Sequence, residues 1–159
     1  MNLLFLCTHN ACRSILAEAI TRKMAGGRLG VSSAGSHPAG TVHPSTLEYL
    51  RKHNYPTEDL ASKSWGSIRK SSPGIVVTVC DQVMDEHCPA WIGNVIKVHW
   101  GLPDPTQLDD KVQEAVLFTS IISTLEWRIQ YLLQQNFEEM TREQIKTIFQ
   151  EAGKRYGIL

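Results

Sequence analysis

Residues 74–79, Gly-Ile-Val-Val-Thr-Val, form a nearly uninterrupted β-branched run. A run of this kind fits a strand covered on both faces, as in a parallel sheet layered between helices. Further strands are expected at residues 2–6, 29–33 and 95–98. Helical periodicity covers residues 14–24, with Ile15, Leu16, Ala19 and Ile20 on one face and Gly26-Gly27 closing the segment. A second helix is expected at residues 44–53. From Asp110 a stripe of Val112, Ala115, Val116, Thr119, Ile122, Leu125, Ile129 and Leu132 continues to Leu133. A last helix is expected from Thr141, where Thr141 and Gln144 form a capping-box pattern, to about Tyr156. Strands alternate with helices. The expected fold class is therefore α/β: a mostly parallel four-stranded sheet with helices on both faces. No repeat, low-complexity tract or linker divides the chain, so residues 1–159 are expected to form one domain.

Sixteen basic and sixteen acidic side chains leave no net charge, which argues against a nucleic-acid partner. The apolar start is too short for a secretory signal and lacks its charged flank. No stretch approaches the roughly 20 apolar residues that span a bilayer, so no membrane partner is expected. A cytoplasmic location follows as the expectation. Thiols there stay reduced, and the four cysteines are better read as chemistry than as staples.

Cys7-Thr8-His9-Asn10-Ala11-Cys12-Arg13-Ser14 joins the first strand to the first helix. A tight loop there can turn its backbone N–H groups inward, and the helix adds its positive dipole end. Arg13 can offer two parallel N–H bonds to a tetrahedral dianion, which lysine cannot. Such a field can also lower a thiol pKa from about 8.5 to 3.5–7.5, which would favour a Cys7 thiolate. Asn10 suits a position of positive φ, and Ser14 can donate its hydroxyl hydrogen to the Cys7 sulfur. The expected site is thus an oxyanion loop of Thr8, His9, Asn10, Ala11, Cys12, Arg13 and Ser14 around a Cys7 nucleophile. It lies at the carboxyl end of a parallel strand, where open α/β sheets bind ligands. Cys80 ends the run 74–79 and should share that sheet edge. Cys88 lies beyond a polar loop, and the two could bridge if the loop refolds. Cys80, His87, Cys88 and His99 have the wrong spacing for a zinc site, so no metal is expected. His37, His43 and His53 read as surface residues. Trp65, Trp91, Trp100 and Trp127 read as core or lid packing, and Cys12 as structural.

The run from Leu4 through Ser14, together with Ser33-Ala34-Gly35 and Asp104-Pro105, resembles the low-molecular-weight protein tyrosine phosphatases and the arsenate reductases built on the same fold. The resemblance implies a general acid at Asp104, although Asp before Pro is also common turn chemistry. It implies a redox disulfide between Cys80 and Cys88. The segment His99-Trp100-Gly101-Leu102-Pro103-Asp104-Pro105 looks more like the reductase branch. Phosphatases usually carry aromatic residues after Asp-Pro, where this chain has Thr106-Gln107. Lys63-Ser64-Trp65 also resembles a reductase segment, without a physical role that the sequence supplies.

The implied activity is reduction of arsenate to arsenite, with Cys7, Arg13, Cys80, Cys88 and Asp104 as catalytic residues. Phosphate or sulfate would act as analogues. No bound cofactor is implied. An external thiol would reset the relay, either thioredoxin or glutathione with glutaredoxin. The alternative is a phosphatase in which Cys80–Cys88 serves as a redox switch. A third reading, a non-catalytic oxyanion-binding module, would leave Cys7 without a purpose.

Overall fold

The β-branched run lies inside a sheet of four strands in the order β2-β1-β3-β4, every neighbouring pair parallel. The strands are β1 (Asn2–Cys7), β2 (Gly30–Gly35), β3 (Ile75–Thr78) and β4 (Ile96–His99). The computed structural model describes residues 1–71, 73–80 and 95–155. Cys88, His87 and Trp91 lie outside the described residues, as does the expected end of the last helix near Tyr156. Consecutive residues Leu3, Leu4 and Phe5 are fully buried, so both faces of β1 are covered, as an all-parallel sheet requires. β2 extends two residues beyond the expected end because it pairs with β1 as far as Cys7 opposite Gly35. Val79 continues the line of β3 by donating to the Leu6 carbonyl at 2.9 Å.

Four α-helices follow the expected pattern: α1 (Arg13–Ala25), α2 (Pro44–Lys52), α3 (Lys111–Leu133) and α4 (Arg142–Ala152). α1 stops at Gly26, whose left-handed φ of 55° few other residues adopt cheaply. Asp110 caps α3 by accepting from the Val112 and Gln113 N–H groups at 2.8 and 3.2 Å. The Thr141–Gln144 capping box forms in both directions. α1 packs on β1, β2 and α3, while α4 packs on β4 and α3.

α3 departs from its expected stripe in its first half. Val112 and Val116 are exposed, and Glu114, Phe118 and Ile121 are buried instead. Phe118 stacks on Tyr49 with ring centroids 4.3 Å apart, so the larger aromatic contact sets the helix rotation. Trp127 is likewise exposed rather than packed in a core or lid, since it lies roughly 200° around α3 from the buried Leu125. Of the described tryptophans, Trp100 alone is fully buried. It donates from Nε1 to the Phe149 carbonyl at 2.9 Å and holds the Arg128 guanidinium over its ring. The chain leaves this anchor through Gly101 and Leu102 toward Asp104. Among the described residues, no helix is long and apolar enough to cross a membrane.

Candidate active site

The chain passes from β1 to β2 on one side and from β3 to β4 on the other, so the connections diverge at the adjacent carboxyl ends of β1 and β3. That divergence opens a crevice. The loop from Cys7 to Arg13 sits in it, and four of its carbonyls are taken up by neighbouring segments and α1. Thr8 O accepts from His37 N at 2.8 Å, and His9 O from Ala39 N at 2.9 Å and Ser62 Oγ at 3.1 Å. Ala11 O accepts from His43 N and Thr46 Oγ1, both at 3.0 Å, and Cys12 O from Leu16 N at 2.8 Å. Committing the carbonyls to the outer side leaves the N–H side to the crevice, an anion-binding concavity.

Asn10 has a φ of 47°, matching its expected left-handed conformation. Gly35 makes the close approach possible: a Cβ there would stand 2.5 Å from Thr8 O and 3.0 Å from Asn10 N. Both are backbone atoms and neither can swing aside. Gly35→Ala should therefore push the loop out of shape and weaken phosphate binding about tenfold, at a stability cost of about 1–3 kcal/mol. Calorimetric phosphate titration and chemical denaturation measure the two effects.

The thiols are arranged unequally. Cys7, Cys12 and Cys80 are all buried. Cys80 lies against the loop, its Sγ accepting from the Thr8 N–H at 3.3 Å, with Thr8 Oγ1 at 3.5 Å. The Cys7 and Cys80 side chains are themselves hydrogen-bonded. Sequence reasoning anticipated a Cys7 thiolate, but in this arrangement the Cys7 thiol is pushed up. Contact with Cys80 comes first and burial second, while Arg13 and the His9 N–H pull the other way. Two sulfurs in contact cannot both carry charge. Cys12 is pushed up to about 12 by burial, against a hydrogen bond from Thr46.

Arg13 donates from Nη1 to the Leu102 carbonyl at 3.1 Å, and its Nη2 is 3.6 Å from Asp104 Oδ2. Asp104 Oδ1 accepts from Thr106 N at 3.0 Å and Thr106 Oγ1 at 2.7 Å. Burial pushes the Asp104 carboxyl up. The Thr106 hydroxyl and N–H, with Arg13, outweigh burial and hold it below the usual carboxylate range. Its charge is thus present at neutral pH and is lost only as pH falls through that depressed value.

A cleft of about 600 Å³ gathers Cys7, His9, Cys12, Arg13 and Asp104, with Ala39, His43, Thr106 and Gln107 on its walls. None of the described residues lining it is Phe, Tyr or Trp. His43 is not the scattered surface residue its sequence suggested. Its Nδ1 caps α2 by accepting from Ser45 N at 3.1 Å, and its own N–H holds the loop. Ser14 and Asn10 lie fully buried beneath the loop, joined by a 2.8 Å hydrogen bond. Of the expected site residues, only Cys88 falls outside the described part. Thr106 and Leu102 were missed because contacts through a neighbour's side chain or through a carbonyl leave no residue-type signal.

A family model described as low molecular weight phosphotyrosine protein phosphatase matches residues 2–146. An arsenate reductase of Bacillus cereus is 36% identical over 101 residues, covering 64% of this chain and 74% of its own length. A thioredoxin-dependent arsenate reductase of Corynebacterium glutamicum superposes with a TM-score of 0.62 at 32% identity, over 84% of this chain and 60% of that one. An arsenate reductase solved in a phosphate-binding state gives a TM-score of 0.69 over 84% and 96%; at 22% identity it shows likeness of fold alone.

Proposed function

This chain belongs to the low molecular weight phosphotyrosine protein phosphatase family, and we propose that within it the protein is an arsenate reductase rather than a phosphatase. The observation that carries this reading is the Cys80 thiol lying against Cys7 and bonded to the Thr8 N–H of the oxyanion loop. Ester hydrolysis has no use for a second sulfur there, whereas transfer of electrons to arsenic requires one. Thr106 and Gln107, the cleft residues that follow Asp104-Pro105, offer a phosphotyrosine ring no face to stack on, which supports the same choice.

In this reading the mechanism begins at the oxyanion loop. Arsenate enters the loop with its oxygens on the backbone N–H groups and Arg13, which turns from Leu102 and Asp104 to the incoming dianion. Relieved of Arg13, the Asp104 carboxylate takes the Cys7 proton. Cys7 sulfur bonds to arsenic, and Asp104 returns the proton to the departing hydroxide, which leaves as water. Loop amides and Arg13 hold the charge on the remaining oxygens. Cys80 then attacks the Cys7 sulfur. The S–As bond breaks with its electron pair going to arsenic, so As(V) becomes As(III), arsenite leaves and Cys7–Cys80 is oxidised to a disulfide. Cys88 attacks Cys80 and frees Cys7, leaving Cys80–Cys88 for an external dithiol to reduce. Thioredoxin suits an internal bridge better than glutathione, which would leave a mixed disulfide. A cytoplasmic location suits that supply of reductant.

The alternative, phosphomonoester hydrolysis with Cys80 as a redox switch, draws on the same Cys7, Arg13 and Asp104. One paired assay separates them: thiol-coupled arsenite formation against phosphate release from an aryl phosphate. The reading requires the first to dominate, and rapid phosphate release without arsenite would remove it.

Asp104→Asn separates binding from chemistry. The carboxylate competes with the substrate for Arg13 and repels a dianion. Its loss should tighten phosphate binding about three- to tenfold while slowing arsenite formation by about 10²–10⁴. Phosphate titration and single-turnover rates on the same sample check both signs.

A further inference from the structure

The last helix closes over a single indole. Trp100, just past the end of β4, is fully buried, and its Nε1–H donates to the Phe149 carbonyl of α4 at 2.9 Å. That carbonyl also accepts from Gly153 N at 3.1 Å, so both of its lone pairs are used. Gly153 brings the end of α4 so near that a Cβ there would stand 2.7 Å from Trp100 Cδ1 and 3.0 Å from Nε1. Its φ of −63° is ordinary helix, so glycine stands there for space and not for conformation. The indole has no room to retreat. Its ring centroid is 5.9 Å from that of Phe5 and 6.2 Å from that of Phe149, and the Arg128 guanidinium covers it at 5.6 Å. Arg128 in turn donates from Nε to the Arg155 carbonyl at 2.9 Å, which ties the chain beyond α4 to α3. Phe149, Gly153 and Arg155 all lie past residue 146, where the family match ends.

Through its backbone Trp100 is joined to the site. Trp100 N donates to the Thr78 carbonyl at 2.7 Å and Leu102 N to the Val79 carbonyl at 3.1 Å, so the β3–β4 ladder runs on past both strand ends. Leu102 O holds Arg13 Nη1, and Asp104 follows after Pro103. We infer that Phe149, Gly153 and Arg128 are positioning residues that act through Trp100 to hold the Asp104 carboxylate where proton transfer at the oxyanion loop needs it. The inference rests on Asp104 as the proton-transfer group proposed above, a role that the reductase and phosphatase readings share. Packing on an indole becomes placement of a carboxylate four residues away because the segment between them has little slack. Trp100 and Leu102 are both pinned to β3, and the Pro103 ring fixes one backbone torsion that could absorb a shift. A misplacement of about 1 Å at a reacting group can cost about 10² in rate.

Gly153→Ala drives a methyl against the indole, and a double-mutant cycle with Asp104→Asn reads where the push arrives. The single-turnover rate of arsenite formation and the affinity for phosphate are measured in wild type, both single variants and the double variant. In the wild-type background Gly153→Ala should slow the reaction about tenfold or more. Phosphate affinity should stay within about threefold, because the loop that holds the anion shares no contact with α4. In the Asp104→Asn background the same methyl should change the rate by less than about twofold, since no proton-transfer group is left to displace. Circular dichroism reports folding. Should Gly153→Ala not fold, Phe149→Leu decides: it keeps the carbonyl that takes Trp100 Nε1–H, loosens the packing, and should slow the reaction about three- to fivefold with the same dependence on Asp104. Equal slowing in both backgrounds would make α4 a structural element alone and overturn the inference. A fall in phosphate affinity as large as the fall in rate, an unchanged rate in a folded variant, or an Asp104→Asn protein as fast as wild type would do the same. If wild type released phosphate from an aryl phosphate and formed no arsenite, the reductase reading would fail. The same cycle followed by phosphate release would then decide this inference.

Discussion

Cys80→Ser should end sustained arsenite formation, with a loss on the order of 10³-fold or more, while phosphate still binds within a few-fold of wild type. The reason is electronic. Arsenic must receive two electrons, and two thiols supply them only when the second sulfur attacks the first and the pair is oxidised to a disulfide. A serine hydroxyl fits the space beside Thr8 but cannot supply them. The variant should instead stall at the Cys7–arsenic adduct, visible as a mass increase on the Cys7 peptide. A second effect has a sign that a merely destabilised protein would not reproduce. Contact with Cys80 is the foremost cause pushing the Cys7 thiol up. Its removal should therefore let Cys7 ionise at lower pH, and iodoacetamide should modify Cys7 faster near neutrality in the variant than in wild type. A phosphatase using Cys80 only as a switch would keep full hydrolytic turnover in this variant, so the same protein discriminates between the two functions.

Arg13→Lys is expected to have the next largest effect. The charge is retained, so long-range attraction of the anion persists. What goes is the planar pair of donors that can meet two oxygens of a tetrahedral dianion together. As the side chains lie here, Arg13 already uses its two terminal nitrogens in separate directions, Nη1 toward Leu102 O and Nη2 toward Asp104. A lysine ammonium cannot span both, nor replace both with arsenate oxygens. Phosphate affinity should fall at least about tenfold, and the single-turnover rate of adduct formation by about 10²–10³, since charge on the oxygens grows as sulfur bonds to arsenic. Stopped-flow measurement with limiting arsenate resolves the two, because the affinity loss is overcome by raising arsenate and the rate loss is not. If saturating arsenate restored the wild-type rate, Arg13 would be a binding residue without a part in the chemistry.

Much of this site could be read before any coordinates because its parts are local in sequence. Cys7 through Arg13 must lie between a strand and a helix, and the β-branched run of residues 75–78 must be a covered strand. Asn10 at positive φ follows from the same reading. The contacts that decide function are of another kind. That Cys80 would rest against Cys7 depends on β1 and β3 being direct neighbours in register, with Leu6 opposite Thr78, and no residue type announces a register. Cys7 was expected to be activated by the loop. Its partner holds it as a thiol, an effect invisible until both sulfurs are placed. Glu18 and Arg22 pair at i,i+4 on α1, yet Glu18 is buried and accepts from Ser33 of β2, a contact the sequence gives no sign of. On α3, the expected apolar stripe runs through Val112 and Val116 and leaves out Phe118, and the stack with Tyr49 turns Phe118 inward instead.

The central claim is that Cys80 attacks the Cys7 sulfur, so that arsenic leaves with the electron pair and Cys7–Cys80 is left as a disulfide. It is tested most directly in the Cys88→Ser protein, which lacks the next thiol in line. Reduced protein is mixed with one equivalent of arsenate, quenched in acid and digested for mass spectrometry. The account predicts one arsenite per protein and a linked peptide pair joining Cys7 to Cys80. Arsenite released while Cys80 is recovered as an unmodified thiol would contradict it, because the electrons would then have come from elsewhere.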